Sequence, residues 1–500
     1  MRYAINYNYN YRDCSYSPAP NMITDIERPI LISLAALMLF ALLESIIFTV
    51  VDPSLIFYIL SVGGTKEDYG YTTSSICLGM TIMVVFFGKW VDSNGNKYQA
   101  PLACAFILGI IGSIVYFAAS LMVPGYWAGK VVLLGRFVQG LGVGGKTLCN
   151  SWIATAIPIE EQKTVFTILS IVAIAGRAIG PLANILVAEI NTTIEITPTF
   201  SIHLNPLNSV GLLVACNEAL LWLIIAIFVK DPPPREQVLP SLNPNPTEGS
   251  STGPPPEAGL SDILKALSNF RVWFTLLQMF VICANYSLYV VAIAPVSANM
   301  LNWTPVEISE LFAFESFVTL IGMGLTLYLS LKQASDFSML LMGHVVFALS
   351  GAFAYFQWRA DNATLFAFVF PLVWFYFVYP FSGPAIQTSF NKAIYAIPEI
   401  AGSIGVFQSI FSQSSTLSGI LIPPLVMSYV VKDPYVVSPI SPHELSPWAL
   451  YVPISSTLMV LGLLYEEFVY DKNLPASESE EVADKEVIPN ETSKLLTTAA

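Results

Sequence analysis

Five hundred residues would ordinarily make several globular domains, but 54% hydrophobic content, 11% charged residues and a mean hydropathy of +0.63 exclude an ordinary soluble protein and make the lipid bilayer the solvent. Twenty-two basic against 35 acidic residues give a net charge of −13, with no basic face to neutralise phosphates, so a nucleic-acid partner is excluded. Five of the six cysteines (Cys77, Cys104, Cys149, Cys216 and Cys283) fall inside apolar runs, which argues against a disulfide framework.

Residues 1–28 are polar and rich in Tyr and Asn, without the apolar core of a cleavable signal peptide. With about 20 apolar residues needed per crossing, the chain offers twelve transmembrane helices, at 30–51, 70–91, 101–123, 130–153, 163–188, 209–229, 272–296, 307–330, 338–358, 364–387, 400–427 and 448–467. A Pro-, Ser- and Gly-rich stretch at 231–262 separates the first six from the last six. The expected division is an N-terminal tail (1–28), a six-helix bundle (29–230), a linker (231–270), a second six-helix bundle (271–467) and an acidic tail (468–500).

With both termini cytosolic, Lys and Arg fall fifteen to the cytosolic side and four to the other, the asymmetry expected of that orientation. The sequons at Asn191, Asn302 and Asn362 then all lie in non-cytosolic loops, as glycosylation requires. Ala-Ile-Pro recurs at 156–158 and 396–398, between the fourth and fifth segments of each half, as a duplicated six-helix unit would leave it.

Between the second and third segments stands Gly88-Lys-Trp-Val-Asp92-Ser-Asn-Gly95-Asn-Lys97; the fourth carries Arg136-Phe-Val-Gln139-Gly140-Leu-Gly142 and the fifth Gly176-Arg-Ala-Ile-Gly180-Pro181. These three motifs, in this order, resemble those of the major facilitator superfamily. The resemblance implies an all-α membrane protein of two pseudo-symmetric six-helix bundles. It also implies that Gly88 permits close helix contact while Asp92 and Lys97 latch one conformation. Within that superfamily the chain looks most like the lysosomal branch linked to neuronal ceroid lipofuscinosis, which implies an endolysosomal protein moving a small solute or anion. Glu491-Thr-Ser-Lys-Leu495-Leu496 in the tail resembles an acidic dileucine signal read by sorting adaptors.

Charged side chains inside a bilayer are costly and mark function. Glu44 and Arg136 both sit roughly 10 Å from the non-cytosolic ends of their segments at the helical rise, so a Glu44–Arg136 pair is the leading expectation for proton coupling or substrate contact. Arg177, in the fifth segment, suits an anion or an ion pair with Glu218; Glu315 offers a second protonation site, and Lys146 snorkels or joins an anion path. His344 is expected as a packed, neutral imidazole.

No nucleophile elbow, zinc-protease helix or phosphate-binding loop occurs, so an enzyme is not expected, nor any cofactor or metal. The expected activity is proton-coupled secondary transport of a small anionic solute by alternating access. The alternatives are a channel-like anion path through Arg136, Arg177 and Lys146, and a membrane scaffold or receptor that transports nothing.

Overall fold

A computed structural model describes residues 28–94, 97–157, 159–197, 200–232, 260–332, 334–358, 364–395, 397, 404–431 and 447–470. Among these, eleven continuous helices are long and apolar enough to cross a membrane. The twelfth crossing is broken into α5 (Tyr126–Val143) and α6 (Lys146–Ala156), because Gly144 and Gly145 interrupt it. The first half comprises α1 (Arg28–Val50), a short α2 (Leu55–Ser61), α3 (Lys66–Ser93), α4 (Gln99–Ala118), α5 and α6, α7 (Ile159–Val187) and α8 (Pro206–Phe228). After α9 (Leu260–Leu267) the second half comprises α10 (Phe270–Met300), α11 (Pro305–Leu331), α12 (Asp336–Gln357), α13 (Leu365–Tyr395), α14 (Ile404–Leu425) and α15 (Tyr451–Tyr465). The helix α9 falls inside the stretch expected as the linker, 231–270. A hairpin of β1 (Thr192–Thr197) and β2 (Phe200–Leu204) bridges α7 and α8.

The helix ends define two faces. One, the linker face, carries Arg28 and Lys230: Ser33 Oγ donates to Phe228 O at 3.1 Å and accepts from Lys230 N at 3.0 Å. The other, the hairpin face, carries β1 and β2, with Asn208 Nδ2 donating to His203 O at 2.9 Å. Three helices that start on the hairpin face begin with reciprocal caps, Thr65/Asp68 on α3, Asn205/Asn208 on α8 and Thr304/Glu307 on α11. Such caps satisfy the orphan N–H groups of a first turn, each contributing about 1 kcal/mol. Elsewhere, large apolar side chains such as Leu349 and Phe356 of α12 and Ile454, Leu458 and Leu461 of α15 stay exposed, the surface that lipid tails cover.

Glycines knit the first half. A Cβ on Gly176 would strike Leu42 O and one on Gly180 would strike Thr49 Oγ1, so α7 lies on α1 at backbone distance. Gly140 meets Ile76 O of α3 and Gly112 meets the backbone of α5 at Gln139 in the same manner. The halves meet along α3 with α14 and α7 with α11.

On the hairpin face that junction is closed. Lys66 Nζ donates to Val431 O at 3.2 Å, Gly70 is seated against Pro423 and Pro424, and Ser74 Oγ donates to Ile420 O. A Cβ at Gly419 would lie 2.6 Å from Cys77 Sγ. Toward the linker face the same helix α3 exposes Val85, Phe86 and Trp90, and a Cβ on Gly88 would meet nothing within 4 Å. The close packing expected at Gly88 is therefore absent in this conformation.

Candidate functional site

Two adjoining cavities occupy the junction. The inner chamber, about 50 Å³, is lined by Thr49, Asp52, Arg177 and Pro181 from the first half and by Tyr286, Glu315, Ser316, Tyr376 and Tyr379 from the second. The outer vestibule, about 400 Å³, is lined by Phe40, Asn150, Phe166, Cys283, Met323 and Pro384 among others. Arg177, Ile174, Thr319 and Tyr379 border both. The register of every contributing helix gives the order. α7 runs toward the hairpin face and contributes 166–177 to the vestibule but 174–181 to the chamber; α10 contributes 279–283 and then 286–290. The vestibule thus lies on the linker side and the chamber behind it, beneath the closed seam.

The backbone of α7 is held at the level of Arg177. Thr49 Oγ1 donates to Arg177 O at 3.3 Å and Ser316 Oγ, from the other half, at 3.4 Å. The Arg177 side chain is open to solvent, and the groups that act on its charge are Tyr286, Tyr379, Glu44 and Cys283. Its expected partner Glu218 is seated elsewhere, against Gly109, where a Cβ would come within 2.6 Å of the carboxyl carbon, and beside Glu44.

Arg136 is 2% exposed, donates to Gln139 Oε1 at 3.0 Å and has Asp52, Tyr116, Cys77 and Tyr69 as its electrostatic neighbours. Gln139 in turn donates to Ser113 Oγ at 2.8 Å. The expected Glu44–Arg136 partnership is rearranged: Arg136 has Asp52 as its acidic neighbour, while Glu44 acts on Arg177 and Glu218. Neither Glu44 nor Arg136 lines the described cavities.

Glu315 does line the chamber. It is 1% exposed, and the Tyr376 hydroxyl faces it as the one neighbouring side-chain donor for its two oxygens. Tyr286 stacks on Tyr379 at 4.7 Å between centroids and meets Tyr376 edge-on at 6.0 Å. Asp52 lies in the turn after α1, where burial pushes its carboxyl up to about 6, against the opposing fields of Arg136 and Arg177. Asp52, Tyr286 and Tyr379 were not singled out from sequence. An aspartate just past an apolar run reads as a loop residue, and tyrosines inside one read as packing.

Of the remaining expected residues, Gln139, Gly140, Gly176 and Gly180 are packing or hydrogen-bonding positions within the first half, while Pro181 lines the chamber. Lys97 is exposed on the linker face. Gly95, Asn362, Glu491, Leu495 and Leu496 lie outside the described residues, as do the side chains of Asp92 and Lys146. Asn191 and Asn302 are exposed at the hairpin-face ends of their elements, Asn302 with φ 53°. His344 is buried against Phe347, its ring nitrogens unpartnered. Among the described residues no His, Cys, Asp and Glu cluster is arranged for a metal.

Residues 35–423 match the family model described as Major Facilitator Superfamily. The chain belongs to that family. Members are membrane transporters of small molecules rather than enzymes, and the match takes in both cavities and every long helix except α15. A curated relative, the MFS-type transporter TwmF of Talaromyces wortmannii, is 28% identical over 155 residues, 31% of this chain and 26% of its own length. The chain therefore spans about a quarter of that relative in the matched region.

Among solved structures, a bacterial homologue of the human lysosomal transporter Spinster, in an inward-facing and unoccupied conformation, superposes with a TM-score of 0.61 at 15% identity, covering 92% of this chain and 98% of that one. A D-xylose–proton symporter superposes with a TM-score of 0.63 at 14% identity, covering 88% and 98%. At such identities the likeness is one of fold.

Proposed function

We propose that this protein is a secondary active transporter that moves a small anionic solute across an endolysosomal membrane by alternating access, coupled to protons. The observation that carries the reading is the asymmetry of the junction: a cavity entered from the linker face, ending at Arg177, with the hairpin face closed beyond it. With the termini cytosolic, as the Lys and Arg distribution favours, this is the inward-open state. Arg177 pairs with the anionic group, as a permanently charged, fork-shaped donor suits, and Asp52 and Glu315 are the carboxylates whose protonation couples to it. Glu44 and Arg136 act one layer behind, through Arg177 and Asp52. Gly88, Asp92, Gly95 and Lys97 latch the linker face once it closes.

The closed seam speaks against a permanently open anion channel. The exposed positions of Asn191 and Asn302 suit glycosylation on the non-cytosolic side, and the tail motif Glu491/Leu495/Leu496 suits recognition by sorting adaptors. The test is reconstitution in liposomes with a panel of labelled organic anions. Saturable uptake driven by a pH gradient supports the reading, ohmic current replaces it with a channel, and the absence of both leaves a scaffold.

A further inference from the structure

The inner chamber is oddly furnished for an anion alone. Its described lining carries two carboxylates, Asp52 and Glu315, against the single guanidinium of Arg177. Glu315 is nine-tenths and more buried, and the Tyr376 hydroxyl facing it can supply one donor at most, which leaves the other carboxylate oxygen without one. Buried polar groups in folded proteins are nearly always satisfied, so such a cluster awaits something that brings donors. A proton on Glu315 makes a neutral carboxyl–phenol pair with Tyr376, which closes the cluster without recruiting a solute. A primary ammonium brings three donors and a charge, enough for both carboxylate oxygens and the Tyr376 oxygen together.

The walls agree with that occupant. Tyr286, Tyr376 and Tyr379 gather at centroid separations of 4.7 and 6.0 Å on the same side as Glu315, and aromatic faces attract organic ammonium ions. The chamber, about 50 Å³, has room for a head group rather than a whole solute, while the vestibule of about 400 Å³ that shares Arg177 is largely apolar.

We infer that the solute is a zwitterion whose ammonium enters the chamber between Glu315 and the three tyrosines, whose carboxylate meets Arg177, and whose apolar remainder occupies the vestibule. This rests on the transport reading above and narrows its substrate class to small molecules bearing both a protonated amine and an acid, apolar amino acids among them.

Three probes of one skeleton separate the parts: L-phenylalanine, phenyllactate with a hydroxyl in place of the amine, and phenethylamine without the acid. Affinities are read for the full-length protein in detergent from ligand-dependent thermal unfolding, and uptake of the same compounds is measured in liposomes. Phenylalanine should bind at least tenfold more tightly than phenyllactate. Glu315→Gln should erase that preference without weakening phenyllactate; Tyr376→Phe, a milder change, should reduce the preference several-fold. Arg177→Gln should weaken phenyllactate and spare phenethylamine. Equal affinity of the wild type for phenylalanine and phenyllactate, retention of the preference in Glu315→Gln, or failure of all three probes to bind overturns the inference. The amine preference in binding, with no uptake of any probe, upholds the ammonium site and overturns the transport reading instead.

Discussion

The Ser316 hydroxyl of α11, which donates to Phe312 O of its own helix at 2.8 Å, also lies 3.4 Å from the backbone carbonyl of Arg177 in α7, so the two halves touch at the depth where the vestibule narrows into the inner chamber. Anything that displaces α7 from α11 therefore moves the guanidinium that borders both cavities.

Arg177→Lys keeps the charge and loses the planar fork, so it should raise the KM for solute about tenfold, equivalent to ~1.4 kcal/mol. Arg177→Gln should raise it further. Uptake kinetics in liposomes give both values.

The closed seam should be trapped by one cysteine. A Cβ at residue 419 would lie 3.4 Å from Cys77 Cβ, close to the ~3.5–4.5 Å range of disulfides. Gly419→Cys should therefore cross-link to the native Cys77 on oxidation, stop turnover while leaving the linker face accessible, and recover on reduction. Gel mobility after cleavage of the intervening chain detects the bond, and uptake before and after reductant detects the block.

Asp52 sets a pH dependence. Its carboxyl, pushed up to about 6, is neutral below that pH and charged above it, and the groups facing it are Arg136 and Arg177, with Tyr286, Cys77 and Tyr116 nearby. Because the folded value exceeds the ordinary 3.8, the carboxyl favours the fold most at low pH, and that contribution is lost as the pH rises to about 6. Uptake should change most steeply near pH 6 and should lose that step in Asp52→Asn; a mutant profile identical to the wild type's would remove Asp52 from coupling.

Two motif glycines should behave in opposite ways. Gly176→Ala forces a methyl into Leu42 O and should cost about 1–3 kcal/mol of stability, the range of core overpacking. Gly88→Ala meets open space and should leave the unfolding temperature unchanged. Any loss of transport in Gly88→Ala would then report on the conformation in which the linker face is closed. Thermal unfolding in detergent distinguishes the two.

Leu495→Ala with Leu496→Ala should shift the protein from endolysosomal membranes to the cell surface, as surface biotinylation would report. An unchanged distribution would remove the tail motif from sorting.

The crossings were readable from sequence because a bilayer imposes a length and an apolar composition on each of them. The reading at 163–188 corresponds to α7, Ile159–Val187, and that at 448–467 to α15, Tyr451–Tyr465. The break at Gly144–Gly145, the hairpin of β1 and β2 and the helix α9 were missed, since each is too short to produce a hydropathy signal. Charged residues in the spans were found by cost alone, but their partners were not. Depth along a helix axis can be estimated from residue number, whereas rotation about that axis depends on neighbours. Glu44 and Arg136 share a depth and still face different groups. The chamber was hidden for the same reason, being assembled by Tyr286, Glu315 and Tyr376 from three helices.

The hairpin-face seam also uses glycines, Gly70 against Pro423 and Pro424 and Gly419 against Cys77, but it adds polar contacts that bridge the two halves. Within the first half, glycines let helices touch backbone to backbone, so a helix cannot slip without collisions along its length. Across the seam, a few hydroxyl and amine donors rest on main-chain oxygens of α7, α14 and the turn after it. Rigid blocks that meet along one edge can come apart there like a clasp, with each block keeping its own internal packing.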